Sequence, residues 1–292
     1  MICMCCIIHF ALGIFLAAWL AVAVPMESLE TEEEYTRIES IFVRHRNALF
    51  VKASFTGMFT DYYLHLMKHK IRYSPELDLM LKEYLAMLSL YLVARPWAET
   101  TGWTANLRAP RVNIFATGGC TQESITGRIF TEDVREPEQN YFYSQTTTQQ
   151  AVEPRLSTMH VDTRNPLRWL EQFHHQSEQR PARAFHLGED DYVIISAQPA
   201  CDLDWLYGLD LPAVMTLECD EETKLLESRR LRFHCGCDLL KIMPLLSSWR
   251  HRMDDLFGEQ ASVKVQCPRC AADYEVSREM IVEFYDRQTS EM

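Results

Sequence analysis

The chain has 292 residues, 47% hydrophobic and 11% aromatic, enough apolar material for one or two globular domains with a sizeable core. Its formal net charge of −12 speaks against a nucleic-acid binder, which would carry a basic stripe. Between Arg229 and Met292 ten Lys and Arg meet ten Asp and Glu, so the C-terminal region offers no positive face either.

Residues Ile2 to Val24 carry no charge and are long enough to cross a bilayer, or to form the apolar part of a secretory signal ending at Ala21-Val22-Ala23. No Lys or Arg precedes this run, and Cys3, Cys5 and Cys6 stand at its start. The adopted expectation is a start at Met26, where Glu27, Glu30, Glu32, Glu33 and Glu34 open a soluble sequence, with 1–25 as a hydrophobic N-terminal extension. An anchor with the body on the cytoplasmic side and a cleaved signal are the alternatives.

From Arg46 to Phe59, Ala48, Phe50, Lys52 and Ser54 alternate with Leu49, Val51, Ala53 and Phe55, which predicts a strand. Pro75 opens a helix in which Leu77, Met80, Leu81, Tyr84, Leu85, Leu88 and Leu92 recur at steps of three and four until Pro96, the pattern of a core helix. Strands return from Thr101 to Ile129, with Gly118-Gly119 as a hairpin turn between Val112–Phe115 and Ser124–Phe130. Ser144 to Gln150 is a short polar run. Asn165 and Pro166 start a second helix whose apolar side is Leu167, Trp169, Leu170 and Phe173. His174-His175 beside Glu178 could hint at a metal or acid/base site, but adjacent histidines face different sides of a helix, and the pair is read as a solvated helix end.

The most specific signal is Cys235-Gly236-Cys237 followed, after 29 residues, by Cys267-Pro268-Arg269-Cys270. Each pair comes from a tight turn, so its sulfurs can reach one ion at about 2.3 Å, and the spacer lets the chain double back to complete a tetrahedron. Structural disulfides would need an oxidising compartment, and isolated core thiols would not be spaced this way beside His234, Asp238 and Arg269. Spacing alone favours a purely structural zinc ribbon. The C-x-C spacing argues the other way, because structural knuckles use two to four residues between their cysteines. Cys120, Cys201 and Cys219 lack a partner at knuckle spacing and read as core or linker thiols.

The segment Leu231-Arg-Phe-His-Cys-Gly-Cys237, the spacer ending in Val263-Lys-Val-Gln-Cys-Pro-Arg-Cys270, and Tyr274 with Glu275-Val276 resemble the zinc domain of the heat-shock protein 33 family of redox-regulated holdase chaperones. Ser177-Glu178-Gln179 with Pro181 and an apolar strand is similar to that family's helix-to-strand junction in the substrate-binding core. The resemblance covers nearly everything after Arg46. It departs at Lys82-Glu83, where the family carries a glycine, at Leu107 to Arg111 in place of a Gly-rich turn, and at Asp238-Leu239-Leu240 in place of Ser-x-Glu. The stretch between the last core strand, Tyr192 to Ser196, and Phe233 is also shorter than the family's linker.

The expected fold is α+β: a mixed sheet and helix chaperone core over 26–199, a helical redox-responsive linker over 200–232, and a small four-cysteine zinc-binding domain over 233–292. No phosphate loop, no G-x-S-x-G and no thioredoxin-type setting for Cys267 and Cys270 occurs, so no enzyme is expected. The resemblance implies one Zn²⁺ per reduced chain, held by Cys235, Cys237, Cys267 and Cys270. It implies Cys267-Cys270 and Cys235-Cys237 disulfides on oxidation, zinc loss, linker unfolding and ATP-independent binding of unfolding clients, with a homodimer on activation and no nucleic acid. In the linker, Trp205, Leu206, Leu209, Leu211, Val214, Met215 and Leu217 can dock, while Asp202, Asp204, Asp210, Glu218, Asp220, Glu221 and Glu222 keep it soluble on release. A thiol switch must start reduced, so a cytoplasmic stress-response protein is expected. The alternative is a static zinc-ribbon interaction module.

Overall fold

The computed structural model describes residues 35–148 and 153–290. The expectations concerning 1–25 lie outside the described residues, as does the end of the polar run at Gln150.

Strands β1 (Thr36–Val43) and β2 (Ala48–Ser54) form an antiparallel hairpin from Glu39↔Lys52 to Val43↔Ala48. The alternation predicted from Arg46 to Phe59 holds only through Ser54. Helix α1 (Thr56–Lys68) follows, burying Met58, Phe59 and Tyr62 at helical spacing. A short apolar run fits both periods, and packing of this face beneath the sheet decides for the helix.

Helix α2 (Pro75–Val93) is the one predicted, with Pro75 in its first turn and the Ser74 hydroxyl accepting from the Leu77 amide. Every residue from Tyr84 to Val93 is buried, because strands of the sheet and the later helix Pro166–Gln176 pack against it. Strands β3 (Glu99–Leu107), β4 (Val112–Gly119), β5 (Ser124–Phe130), β6 (Tyr141–Thr148) and β7 (Arg155–His160) pair antiparallel on one side. Gly118 and Gly119 end β4 and do not form its turn, which is 120–123. A Cβ on Gly118 would lie 2.8 Å from the Ser124 carbonyl oxygen, so this glycine permits close approach of the two strands.

Helix α3 (Pro166–Gln176) starts as predicted, the Asn165 side chain accepting from the Leu167 and Arg168 amides. It leads to β8 (Ala182–Gly188) and β9 (Asp191–Ala197), which extend the sheet beyond β2. The histidine pair corrects its expectation: His175 is exposed, but His174 is 3% exposed and lies edge-on to Tyr91 at 5.8 Å. Burial first, then Arg180 and Arg95, hold its ring down to about 3. The neighbouring Glu178 accepts from Tyr91 Oη and Arg95 Nη1, both at 2.8 Å, tying the end of α2 to the α3–β8 junction.

The stretch 200–232 forms three short helices, α4 (Leu203–Gly208), α5 (Leu211–Met215) and α6 (Leu217–Asp220), capped in part by Asp202 and Asp210, and then most of β10 (Thr223–Phe233). Strand β10 sits in mid-sheet. It runs antiparallel to β1 from Thr36↔Leu231 to Val43↔Thr223, and parallel to β5 at Arg232↔Ser124 and Phe233↔Ile125. The strand order is β7-β6-β3-β4-β5-β10-β1-β2-β9-β8. The face around α2 holds the main core, and the other face of β1, β2 and β9 is covered by α4 to α6.

Beyond β10, α7 (Leu239–Ile242), a 3₁₀ turn (Met243–Trp249), α8 (Met253–Phe257), the hairpin β11 (Ser262–Gln266) and β12 (Asp273–Ser277), and α9 (Arg278–Ser290) gather around Met243, Leu246, Phe257, Val276 and Ile281. Among the described residues no helix is long and apolar enough to cross a membrane.

The buried His174 makes stability pH-dependent. Its ordinary pKa of 6.5 applies in the unfolded chain, which therefore binds an extra proton between about 6.5 and about 3. The contribution is complete above 6.5 and is lost as pH falls, by about 3 kcal/mol at pH 4.5. Denaturant unfolding of His174→Leu at pH 7 and pH 4.5 should show a difference between the two pH values smaller by about that amount. An unchanged difference would exclude His174 as its source.

Candidate metal centre

The two cysteine pairs are presented by two rigid pieces of chain. Strand β10 carries Phe233 into the core, the His234 amide donates to the Ile125 carbonyl at 2.9 Å, and the chain then leaves the sheet. Cys235 is thus fixed two residues beyond a core strand. Gly236, at φ +63°, makes the left-handed turn between Cys235 and Cys237 that other residues rarely adopt. Cys267 and Cys270 lie at the tip of the β11–β12 hairpin. There the Cys267 amide donates to Ala272 O at 2.8 Å and the Ala271 amide to Cys267 O at 3.0 Å, folding the second thiol back toward the first.

The four Sγ atoms all lie within 4.8 Å of one another. Cys235 and Cys267 are 3.8 Å apart across the two turns, and Cys237 and Cys270 are 3.4 Å apart. A tetrahedron with metal–sulfur bonds of about 2.3 Å has edges of about 3.8 Å. The quartet could therefore hold one metal ion, and an all-sulfur set of this shape suits Zn²⁺. Cys267 and Cys270 are buried and Cys235 and Cys237 half-buried, whereas Cys120 is buried elsewhere beside Arg229, Cys201 is half-buried and Cys219 exposed.

Hydrogen bonding with Cys270, aided by the Arg269 cation, draws Cys235 down to about 4. Burial pushes Cys237 up to about 11, and hydrogen bonding with Cys235 together with burial drives Cys270 far above the ordinary thiol range. One thiolate forms readily and its neighbours resist a second charge. A bound dication would offset that repulsion.

Side chains of the hairpin and of the core hold the cysteine carbonyls. Tyr274 Oη lies 2.9 Å from Cys237 O and 3.1 Å from its Sγ, Arg269 donates to Cys235 O, and His65 Nε2 is 2.8 Å from Cys270 O. Arg128 Nη1 donates to Cys267 O at 3.1 Å and Nη2 to Gln266 Oε1 at 2.6 Å. Arg128 is buried, and its Nε has no hydrogen-bond partner. The family resemblance took in Tyr274 but not Arg128 or His65. The available hint was a single arginine inside the apolar stretch of β5, between Gly127 and Ile129.

The segment leading to the centre is docked. Leu206, Leu209, Val214 and Leu217 are buried against Ile41, Val43, Phe50, Val193 and Ile195, while Leu211 and Met215 stay exposed. Acidic residues clamp it to the β1–β2 hairpin. Arg46 pairs with Asp202 at 2.7 Å and Glu221 at 2.9 Å, Arg44 with Glu222 at 2.7 Å, and Lys52 with Glu218. Each buried aliphatic contributes about 1.5–3 kcal/mol and an exposed ion pair about 0–1 kcal/mol, so apolar burial provides most of the affinity and the charges fix the position.

Residues 204–277 match the family model described as Hsp33 protein. No curated protein matches the chain in sequence. The fold is that of the crystal structure of the 33 kDa chaperonin (heat shock protein 33 homolog) from Thermotoga maritima, with a TM-score of 0.65 and 13% identity, covering 87% of this chain and 99% of that one.

Replacing Cys120, Cys201 and Cys219 together by Ser should leave one zinc per chain by metal analysis, whereas Cys270→Ser alone should lower zinc affinity at least ten-fold. Loss of half or more of the zinc in the triple variant would refute the four-ligand set.

Proposed function

Since the chain is a member of the heat-shock protein 33 family, by its match at residues 204–277 and its shared fold, we propose that it is a redox-regulated chaperone that holds unfolding clients without ATP. The observation that carries this reading is the continuity of the docked segment α4–α6 with β10 and, two residues on, with Cys235. What happens at the thiols is transmitted along one short chain to the cover of an apolar sheet face.

In the reduced state Cys235, Cys237, Cys267 and Cys270 hold the ion. Bound zinc supplies a cross-link between the end of β10 and the hairpin tip worth about 10–16 kcal/mol, more than a small domain's whole stability. Thiolates are the reactive sulfur species, so an oxidant converts one to a sulfenic acid that condenses with a neighbouring thiol. We take the pairs to be Cys267-Cys270 and Cys235-Cys237, which spends all four ligands. Freed of the cross-link, 200–222 releases the apolar face made by Ile41, Val43, Phe50, Val193 and Ile195. That face offers clients non-directional burial, which suits partners of any sequence, and the acidic residues keep the released segment in solution. On this reading 26–199 is the client-binding core and 233–292 the switch. A homodimer forms on activation, no nucleic acid is bound, no reaction is catalysed, and the protein works in the reducing cytoplasm.

Zinc release and suppression of client aggregation, followed together as the purified chain is treated with peroxide, test the proposal. Both should rise in step and reverse with reductant and zinc. A chain that keeps its zinc through the treatment is the static ribbon. Leu206→Ala should cost about 2–5 kcal/mol of docking and make 200–222 protease-sensitive even in reductant. Protease resistance equal to the parent's would show that burial of Leu206 does not hold the segment.

A further inference from the structure

Arg128 is a cation in an unusual place. It projects from β5, is 8% exposed, and stacks over the Phe130 ring at 4.0 Å. Among the described residues no carboxylate forms an ion pair with it; its hydrogen-bond acceptors are the Cys267 carbonyl and the Gln266 side chain. A buried guanidinium without a counter-charge is costly, so nearby negative charge has to offset it. Tyr73, the thiols of Cys270 and Cys267, and Asp273 are the groups that offset it, and of these the Cys267 backbone carbonyl is in direct contact. Four thiolates around one dication leave two negative charges over, and the Arg269 cation on the other side of the centre is exposed. The buried cation and the buried anionic centre therefore need each other.

We propose that Arg128 is a positioning residue for the four-thiolate centre and the trigger that separates the centre from the core when the thiolates are oxidised. This inference rests on the zinc and oxidation chemistry of the function proposed above. Two molecules of hydrogen peroxide take four electrons from the four thiolates. Two S–S bonds form, two O–O bonds break to give four hydroxide ions, and zinc leaves as the dication. However the four thiolates pair, their negative charge is gone. Arg128 is then a buried cation beside neutral disulfides with only Asp273 left to offset it, and solvent offers the charge a better environment than the seam does. Its departure breaks the contacts with Cys267 O and Gln266 Oε1, leaving His65 alone on the Cys270 carbonyl, so the hairpin tip comes away from β5 and α1. Oxidation thus reaches the core at this seam independently of the pull along β10.

The test uses the full chain with zinc and cobalt as probes, and amide hydrogen exchange over 127–130 and 266–270. Arg128→Gln should lower zinc affinity about 10–100-fold, the usual effect of losing an outer-shell partner, and shift the thiolate-to-cobalt charge-transfer band. Arg128→Lys should recover most of the affinity, since it keeps the charge. On peroxide oxidation the parent should lose protection over both segments, and Arg128→Gln should retain more of it. Zinc affinity in Arg128→Gln within two-fold of the parent, or equal loss of protection in the two oxidised chains, would overturn the proposal. If Arg128→Gln does not fold, the oxidised parent decides alone, because retained protection over 127–130 overturns the trigger. Neither readout involves a client, so failure to suppress aggregation would count against the proposed function and leave this inference standing.

Discussion

Strand β10 fills the gap between β1 and β5, and two residues beyond its end stands Cys235. This short covalent distance constrains everything around it. The hairpin bearing Cys267 and Cys270 must come to the edge of the core, because Cys235 cannot move away from it while β10 is paired. The centre therefore sits against α1 and β5, where His65 and Arg128 hold the carbonyls of its two buried cysteines.

Two kinds of force act along this path. Coordination of a dication by the four thiolates would be strong and local, and on the function proposed each disulfide would remove two ligands at once. Docking of 203–220 is the sum of a few buried aliphatics and several exposed ion pairs, each modest. On the function proposed, a cover of the second kind stays shut only while the chain beyond it is fixed. Placing the strong contact at the end of the weak one would, on that reading, let sulfur chemistry control an apolar surface that carries no reactive group of its own.

Charge adds a second link. Buried Arg128 and the anionic sulfur cluster are each unfavourable alone and tolerable together. Arg46 does comparable work at the surface, where it joins Asp202 to Glu221 and stacks on Trp205 at 5.5 Å, and water screening makes those contacts worth far less. Similar cations thus sit at the surface in one place and in the interior beside the thiols in the other, and burial is the difference.

Local rules carried the reading where a signal was local. Cysteine spacing picked out four residues that the structure brings together, because a knuckle is made by neighbours in sequence. Ser74-Pro75 and Asn165-Pro166 marked helix starts for the same reason. Only tertiary structure turned Thr56 to Lys68 into a helix, because its apolar residues satisfied either period until a sheet packed over them. His174 looked like solvent-facing punctuation, and Arg180, Arg95 and Tyr91, remote or unremarkable in sequence, close over it. Arg128 lies 139 residues before Cys267, and no periodicity links them. The sequence by itself determined which atoms could bind a metal, because ligand chemistry is a property of residue type and close spacing. The tertiary structure alone decided which strand those ligands hang from and which buried charge they face, because both depend on contacts between distant parts of the chain.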